Sequence, residues 1–343
     1  MKGKWARRLL KAGGYGAAAA MVLLAGAVTM TVGWRPVVGP EARPLTARRF
    51  EPTGERLDRG RYLVETVSAC FACHSRYDPS NPAESYPKAR KGGGNTMDAE
   101  GMPWLVAPNI TPDPETGAGS WSDDMFARAI REGIGHDGRA LFPMMPYETY
   151  RNYSDEDVAS IVVYLRSIPA VRNPLPKSEI PFPLSRLINT VPEPLTSAVP
   201  DPDLTTPVKR GEYLVKVGDC AGCHTARGDK GEKLKGLDYA GGNTFEDGRG
   251  GVVATMNLTP DPTGISYYDE ALFVSAIRTG HVRARPLSPA MPWWVYRNMR
   301  DEDLKAVFAY LRTLKPVEHI VDNTEPPTHC KLCGHKHGLG AKN

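Results

Sequence analysis

Hydrophobic residues are arranged along the chain in three ways. The first is a continuous run. Ala12 to Trp34 is 23 residues without a charge, rich in Ala, Val, Leu and Met, and about 20 apolar residues let a helix cross a bilayer. The second is helical spacing. Phe126, Ala129 and Ile130 predict a short helix over 122–133, and Leu272, Phe273 and Ile277 another over 268–279. Val158, Ile161, Val162 and Leu165 form the apolar face of a longer helix, as do Leu304, Val307, Phe308 and Leu311. These two open on Asp155-Glu156-Asp157 and Asp301-Glu302-Asp303, acidic residues suited to the positive end of the helix dipole. Pro169 and Pro316 lie at or just past their ends. A further helix is predicted around 56–70. The third arrangement is the lack of a period. The stretches between helices are rich in Gly, Pro and Asn and too irregular for strands. Nine prolines from Pro174 to Pro207 make 171–207 an extended, semi-rigid connection.

These landmarks repeat. Arg59-Gly60-x-Tyr62-Leu63-Val64 returns as Arg210-Gly211-x-Tyr213-Leu214-Val215, and Gly93-Gly94-Asn95-Thr96 as Gly241-Gly242-Asn243-Thr244. Asn109-Ile110-Thr111-Pro112-Asp113-Pro114 returns as Asn257-Leu258-Thr259-Pro260-Asp261-Pro262. Met145-Pro146 matches Met291-Pro292, and Tyr150-Arg151-Asn152 matches Tyr296-Arg297-Asn298. The chain is therefore read as two copies of one helical unit with long loops.

Charge sharpens this picture. The formal net charge of +4 over 343 residues is uneven. Residues 1–50 hold nine Lys/Arg and one Glu, so the rest is net negative, and the total is no nucleic-acid footprint. Residues 51–170 are net −6 and 208–317 net +3, so the two copies are expected to dock different partners. Lys2, Lys4, Arg7, Arg8 and Lys11 precede the apolar run, which keeps the N-terminus cytoplasmic and exports the body. Two readings of the run stay open: an uncleaved anchor, favoured by its length, or a signal peptide cut near Ala25-Gly26-Ala27.

Six cysteines form three Cys-x-x-Cys pairs. Two are followed directly by His: Cys70, Cys73 and His74, then Cys220, Cys223 and His224. This is the c-type haem attachment pattern. Two thiols at this spacing reach the two vinyl groups of one porphyrin, and the adjacent imidazole lies beneath the iron. A thioredoxin-like pair needs no such His and sits in a βαβ unit. Its recurrence in matching surroundings favours two covalently bound haem c groups. Each iron then needs a sixth ligand, and the repeat singles out Met145 and Met291 in Pro-rich loops. Met144 is a neighbour of Met145, but its counterpart is Ala290. Asn109, Asn257, Arg151 and Arg297 are read either as haem-propionate donors or as a loop cap and solvated arginines. His136 and His281 are read as surface residues.

The third pair does not fit. Gly334 stands where a haem motif needs His, and only ten residues follow Cys333. Two readings stay open: a disulfide between Cys330 and Cys333, or a small zinc or copper site using Cys330, Cys333, His335 and His337, with His329 as a substitute.

The two haem motifs, Gly-Gly-Asn-Thr, Asn-Ile/Leu-Thr-Pro, Met-Pro and the terminal helix resemble the tandem class I cytochrome c domains of membrane-associated bacterial cytochromes. The likeness is to cytochrome c subunits of periplasmic alcohol and gluconate dehydrogenases, which usually carry three haem domains where this chain has two. It implies a mainly α fold: an N-terminal membrane or signal segment (1–35), cytochrome c domains over 56–170 and 208–317, the linker 171–207, and a Cys/His-rich tail (318–343). The expected function is single-electron relay through two His/Met haems, between a periplasmic dehydrogenase, quinol-oxidising complex or other redox protein and a downstream cytochrome or oxidase. The body is expected in the periplasm, tethered to the inner membrane. Six-coordinate irons leave no catalytic site. Two alternatives are a dihaem peroxidase, which needs an iron that opens a coordination position, and a metal-delivery role for the tail.

Overall fold

In a computed structural model of the chain, residues 2–76, 88–97, 102–228, 231–247 and 251–343 are described. Their architecture is mainly helical, with four small two-stranded antiparallel pairs. Two of these pairs, Asn95–Thr96 with Val106–Ala107 and Thr244–Glu246 with Val252–Ala254, lie in the loops where no strand was expected. They follow the same Gly-Gly turn in each copy, so they belong to the repeated unit.

Each unit is built on two crossing helices. In the first, Gly54–Tyr62 packs on Asp155–Ser167, and in the second Pro207–Val217 packs on Asp301–Leu311. The repeated Arg-Gly pair explains the crossing. A Cβ on Gly60 would sit 2.0 Å from the Ser160 carbonyl oxygen, and one on Gly211 1.9 Å from that of Ala306. Only glycine allows this approach. The neighbouring arginines fasten the same crossing, Arg59 to Asp157 at 2.7 Å and Arg210 to Asp303. Leu63, Val64, Leu214 and Val215 then enter the core. Caps fix the helix starts: Thr53, Ser122, Ser154, Thr206 and Asp269 each accept a backbone N–H three residues on. Gly133 and Gly280, at φ 70° and 71°, end the helices Asp123–Glu132 and Glu270–Thr279.

The helix expected over 56–70 is not continuous. It runs from Gly54 to Tyr62, continues as a π-helical turn over Leu63–Val67, and breaks before a separate helix, Cys70–His74. The cause lies in a count. Cys70 follows Arg59 by eleven positions, but Cys220 follows Arg210 by ten. The extra residue is absorbed by i→i+5 bonding, with Ser68 N–H donating to Leu63, whereas Gly218 N–H donates to Leu214 in normal α-helical register.

The two units share one apolar core. Their contacts are reciprocal. Tyr62 of the first donates its hydroxyl to Asp303 of the second, and Tyr213 of the second donates to Asp157 of the first, at 2.5 Å. The turns before the two Cys-x-x-Cys helices also touch, through Ser68 Oγ donating to the Val217 carbonyl at 2.9 Å.

The connection 171–207 and the segment 35–50 lie over the first unit. Arg43 forms a two-pronged pair with buried Asp124 (2.7 and 2.8 Å) and reaches buried Glu132 at 2.8 Å. Glu132 also accepts the Leu195 N–H. At the N-terminus, Lys2–Met30 is one helix, and its stretch Gly13–Met30 is long and apolar enough to cross a membrane.

Candidate functional site

Each Cys-x-x-Cys-His motif forms one short helix, Cys70–His74 or Cys220–His224. Each starts after a residue in the left-handed region, Ala69 at φ 49° and Asp219 at φ 53°, so the chain turns sharply into the motif. Cys73 and Cys223 are exposed, while Cys70 and Cys220 pack on the core.

The two imidazoles are held alike. His74 Nδ1 lies 2.8 Å from the Pro108 carbonyl oxygen, and His224 Nδ1 2.7 Å from that of Met256. A carbonyl only accepts, so Nδ1 carries the proton and Nε2 keeps its lone pair for a metal. Burial pushes both imidazoles below their usual pKa, which keeps them neutral.

The residues that aim these carbonyls come next in sequence. Asn109 Oδ1 accepts from Thr111 N and Oγ1, and its Nδ2 donates to Val171. Asn257 does the same with Thr259 and Val317. Both asparagines thus cap their loops, with amide donors directed to a backbone carbonyl and to the hydroxyl of Thr116 or Thr263. Arg151 donates to the Glu193 carbonyl, and Arg297 lies over the Trp293 ring. His136 and His281 are exposed. Pro108 and Met256 were missed at the sequence level, since a backbone acceptor has no residue-type signature. Their position, directly before the repeated Asn, was the available signal.

The methionine loops are anchored by their aromatic neighbours. A Cβ on Gly133 would meet the Tyr147 ring at 2.5 Å, and one on Gly280 the Trp293 ring at 2.6 Å. Tyr150 Oη donates to the Ser68 carbonyl at 3.1 Å, and Tyr296 Oη to that of Gly218 at 3.2 Å. These bonds tie each methionine loop to the turn leading into its Cys-x-x-Cys helix. Met145 and Met291 are half-buried against the core, while Met144 is exposed. Trp293 Nε1, beside the second loop, is a buried donor without a hydrogen-bond partner among the described residues.

Each unit thus carries two thiols and an imidazole with its Nδ1 occupied on one short helix, and a methionine loop tied by a tyrosine to the turn that leads into that helix. This donor set fits a covalently attached haem: sulfur for the vinyl groups and N/S axial ligands for iron.

The tail differs from expectation in one ligand. Cys330, Cys333 and His337 gather, but His335 turns away and bonds the Arg227 carbonyl through Nε2 at 2.8 Å. His319 takes its place. It lies upstream of the pair, beyond the Cys/His-dense stretch that drew the reading.

Comparison with known proteins agrees with the geometry. The cytochrome c family signature matches residues 57–169 and 208–315. The chain is 30% identical to one of the subunits of nicotinate dehydrogenase from Pseudomonas putida, over 96% of this chain and 28% of that one. It is 29% identical to the cytochrome c subunit of the quinone alcohol dehydrogenase of Gluconobacter oxydans, over 84% and 61%. It is 30% identical to a "diheme cytochrome c-type" protein of Cereibacter sphaeroides, over 91% of this chain and all of that one. The chain thus spans less than two thirds of each of the two dehydrogenase subunits.

Proposed function

The chain belongs to the cytochrome c family, whose signature covers more than half its length in two regions, and from this premise we propose that it is a membrane-tethered, periplasmic dihaem electron relay. An electron-transfer role with covalently bound haem c follows from the family. The number of haems, their ligands, the tether and the partners are the proposal.

Cys70 and Cys73 would hold one haem and Cys220 and Cys223 the other. His74 and Met145 would ligate the iron of the first, and His224 and Met291 that of the second. Haem c supplies a one-electron iron couple, and a thioether opposite imidazole raises its potential relative to two imidazoles. The chain's part is to hold the ligands still: the carbonyls of Pro108 and Met256 orient the imidazoles, and Tyr150 and Tyr296 pin the methionine loops. The observation that supports the reading is the duplicated arrangement: a Cys-x-x-Cys-His helix whose imidazole Nδ1 is held by a carbonyl, with a methionine loop tied to the turn that leads into it. With a histidine and a methionine on each iron, no coordination position would be left for substrate, and the site would serve electron exchange.

The relatives named as dehydrogenase subunits support a dehydrogenase as electron donor. The apolar helix Gly13–Met30 and the basic residues before it support a tether with the body outside the cytoplasm.

Intact mass and a spectroscopic redox titration test this. Two haems per chain and two one-electron steps are expected. Met145→Ala and Met291→Ala should each convert one haem to high spin and lower its potential, and Met144→Ala should change neither. A high-spin haem in the unmodified protein, with hydrogen peroxide turnover, would instead point to a peroxidase.

A further inference from the structure

The tail cluster lies outside the haem sites and is not accounted for by electron relay. We propose that His319, Cys330, Cys333 and His337 bind one structural zinc ion, which clamps the C-terminal tail to the second haem unit.

Geometry comes first. All four side chains are buried, and their ligand atoms lie within 4.8 Å of one another. Cys330 Sγ is 3.5 Å from His319 Nε2, and Cys333 Sγ is 3.5 Å from His337 Nε2. A tetrahedron with Zn–S of about 2.3 Å and Zn–N of about 2.0–2.1 Å has S···N edges of roughly 3.5 Å. Both imidazoles are set for this role. His319 Nδ1 donates to the Ala240 carbonyl at 2.8 Å and His337 Nδ1 to that of Gly338 at 3.2 Å, leaving each Nε2 facing sulfur. A Cys330–Cys333 disulfide would use the two thiols and leave these two buried nitrogens without purpose.

The tail also needs a fastening. Among the described residues, the apolar cluster around the two cysteines contains only Ala226, Leu237 and Ala240, with Leu234 and Val317 at its margin. Residues 323–329 are exposed. So little buried apolar surface does not order a segment of this length, and small units of this kind are commonly stapled by metal. Four protein ligands with two thiolates suit zinc in a closed, structural site.

The clamp has a defined attachment point. A Cβ on Gly242 would lie 2.6 Å from His319 Cε1 and 3.2 Å from Cys333 Sγ. In the first unit, Gly94, whose N–H donates to the His74 carbonyl, is covered by Leu175 Cδ1 from the Pro-rich connection. The same turn is thus covered by an aliphatic side chain in the first unit and by the ligand cluster in the second. Next to it, Gly241 N–H donates to the His224 carbonyl, so the metal would brace the turn bonded to the motif histidine.

The full-length holoprotein, purified without chelators from medium containing zinc, copper and iron, tests the proposal by elemental analysis normalised to chain concentration. About one zinc per chain is expected beyond the haem iron, and X-ray absorption at the zinc edge should give two sulfur and two nitrogen neighbours. His319→Ala and Cys330→Ser should lower zinc at least tenfold and expose the tail to protease, while His335→Ala keeps it. Should either variant accumulate poorly, His337→Cys is the check: zinc is retained with a third sulfur neighbour. Copper in place of zinc, no stoichiometric metal, a Cys330–Cys333 disulfide, or zinc loss in His335→Ala would each overturn the assignment.

Discussion

Asp124 shows how one residue holds a segment to the body. Burial pushes its carboxyl up, but hydrogen bonds from Arg43 and Thr46 outweigh this and hold it at about 2. Because the folded pKa lies below the unfolded value, its contribution is complete above about pH 4 and is lost as the pH falls toward 2. Asp124→Asn leaves Arg43 partly uncompensated and should cost about 3–5 kcal/mol, as breaking buried ion pairs does. Denaturant unfolding of the holoprotein at pH 7 measures this, and the difference from the parent should shrink at pH 2–3. At this scale, the sequence was legible where chemistry and spacing coincide, as in Cys70-x-x-Cys73-His74. It was opaque where partners are distant: nothing marked Arg43 for Asp124, and proximity in sequence drew attention to His335 when the fold supplies His319.

Among the elements, the helical spacing located Asp123–Glu132 and Glu270–Thr279 to within two residues, and the acidic triplets marked the starts of two more helices, because each buries one apolar stripe behind a polar or acidic first turn; the last of these stops at Leu311, five residues before Pro316. The first helix of the opening unit was misread because its extra residue leaves hydrophobicity unchanged and alters only the hydrogen-bond register. The count from Arg59 to Cys70 held that information. The crossing glycines make a sharp test. A methyl group at Gly60 or Gly211 has backbone carbonyl oxygen, not a flexible side chain, in its way. Gly60→Ala and Gly211→Ala should each destabilise the protein by about 1–3 kcal/mol or more, as overpacking does, and separate Arg59 or Arg210 from its aspartate. Thermal melting followed at the haem absorption checks this, with an exposed position such as Gly138→Ala as a control for glycine replacement in general, although its φ of 83° adds a small strain of its own.

For the whole molecule, the shared core means that the units should unfold together. Removing Tyr62 and Tyr213 hydroxyls leaves each aspartate its arginine but takes away the two reciprocal bonds across the boundary. Hydrogen bonds to charged groups contribute about 1.5–3 kcal/mol each. Tyr62→Phe with Tyr213→Phe should therefore split one calorimetric transition into two, and a single unchanged transition would mean that the shared apolar core and the remaining bonds, such as Ser68 to Val217, suffice to couple the units. The reciprocity of these contacts has a wider meaning. A boundary in which residue i meets j, and the counterpart of i meets the counterpart of j, is the pattern of an isologous twofold dimer. Here both halves of that dimer lie in one polypeptide, so association costs no loss of independent translation and the stoichiometry is fixed at one to one. The self-complementary faces are consumed internally. The two copies can therefore differ in net charge, −6 over 51–170 and +3 over 208–317, while the buried seam stays self-complementary.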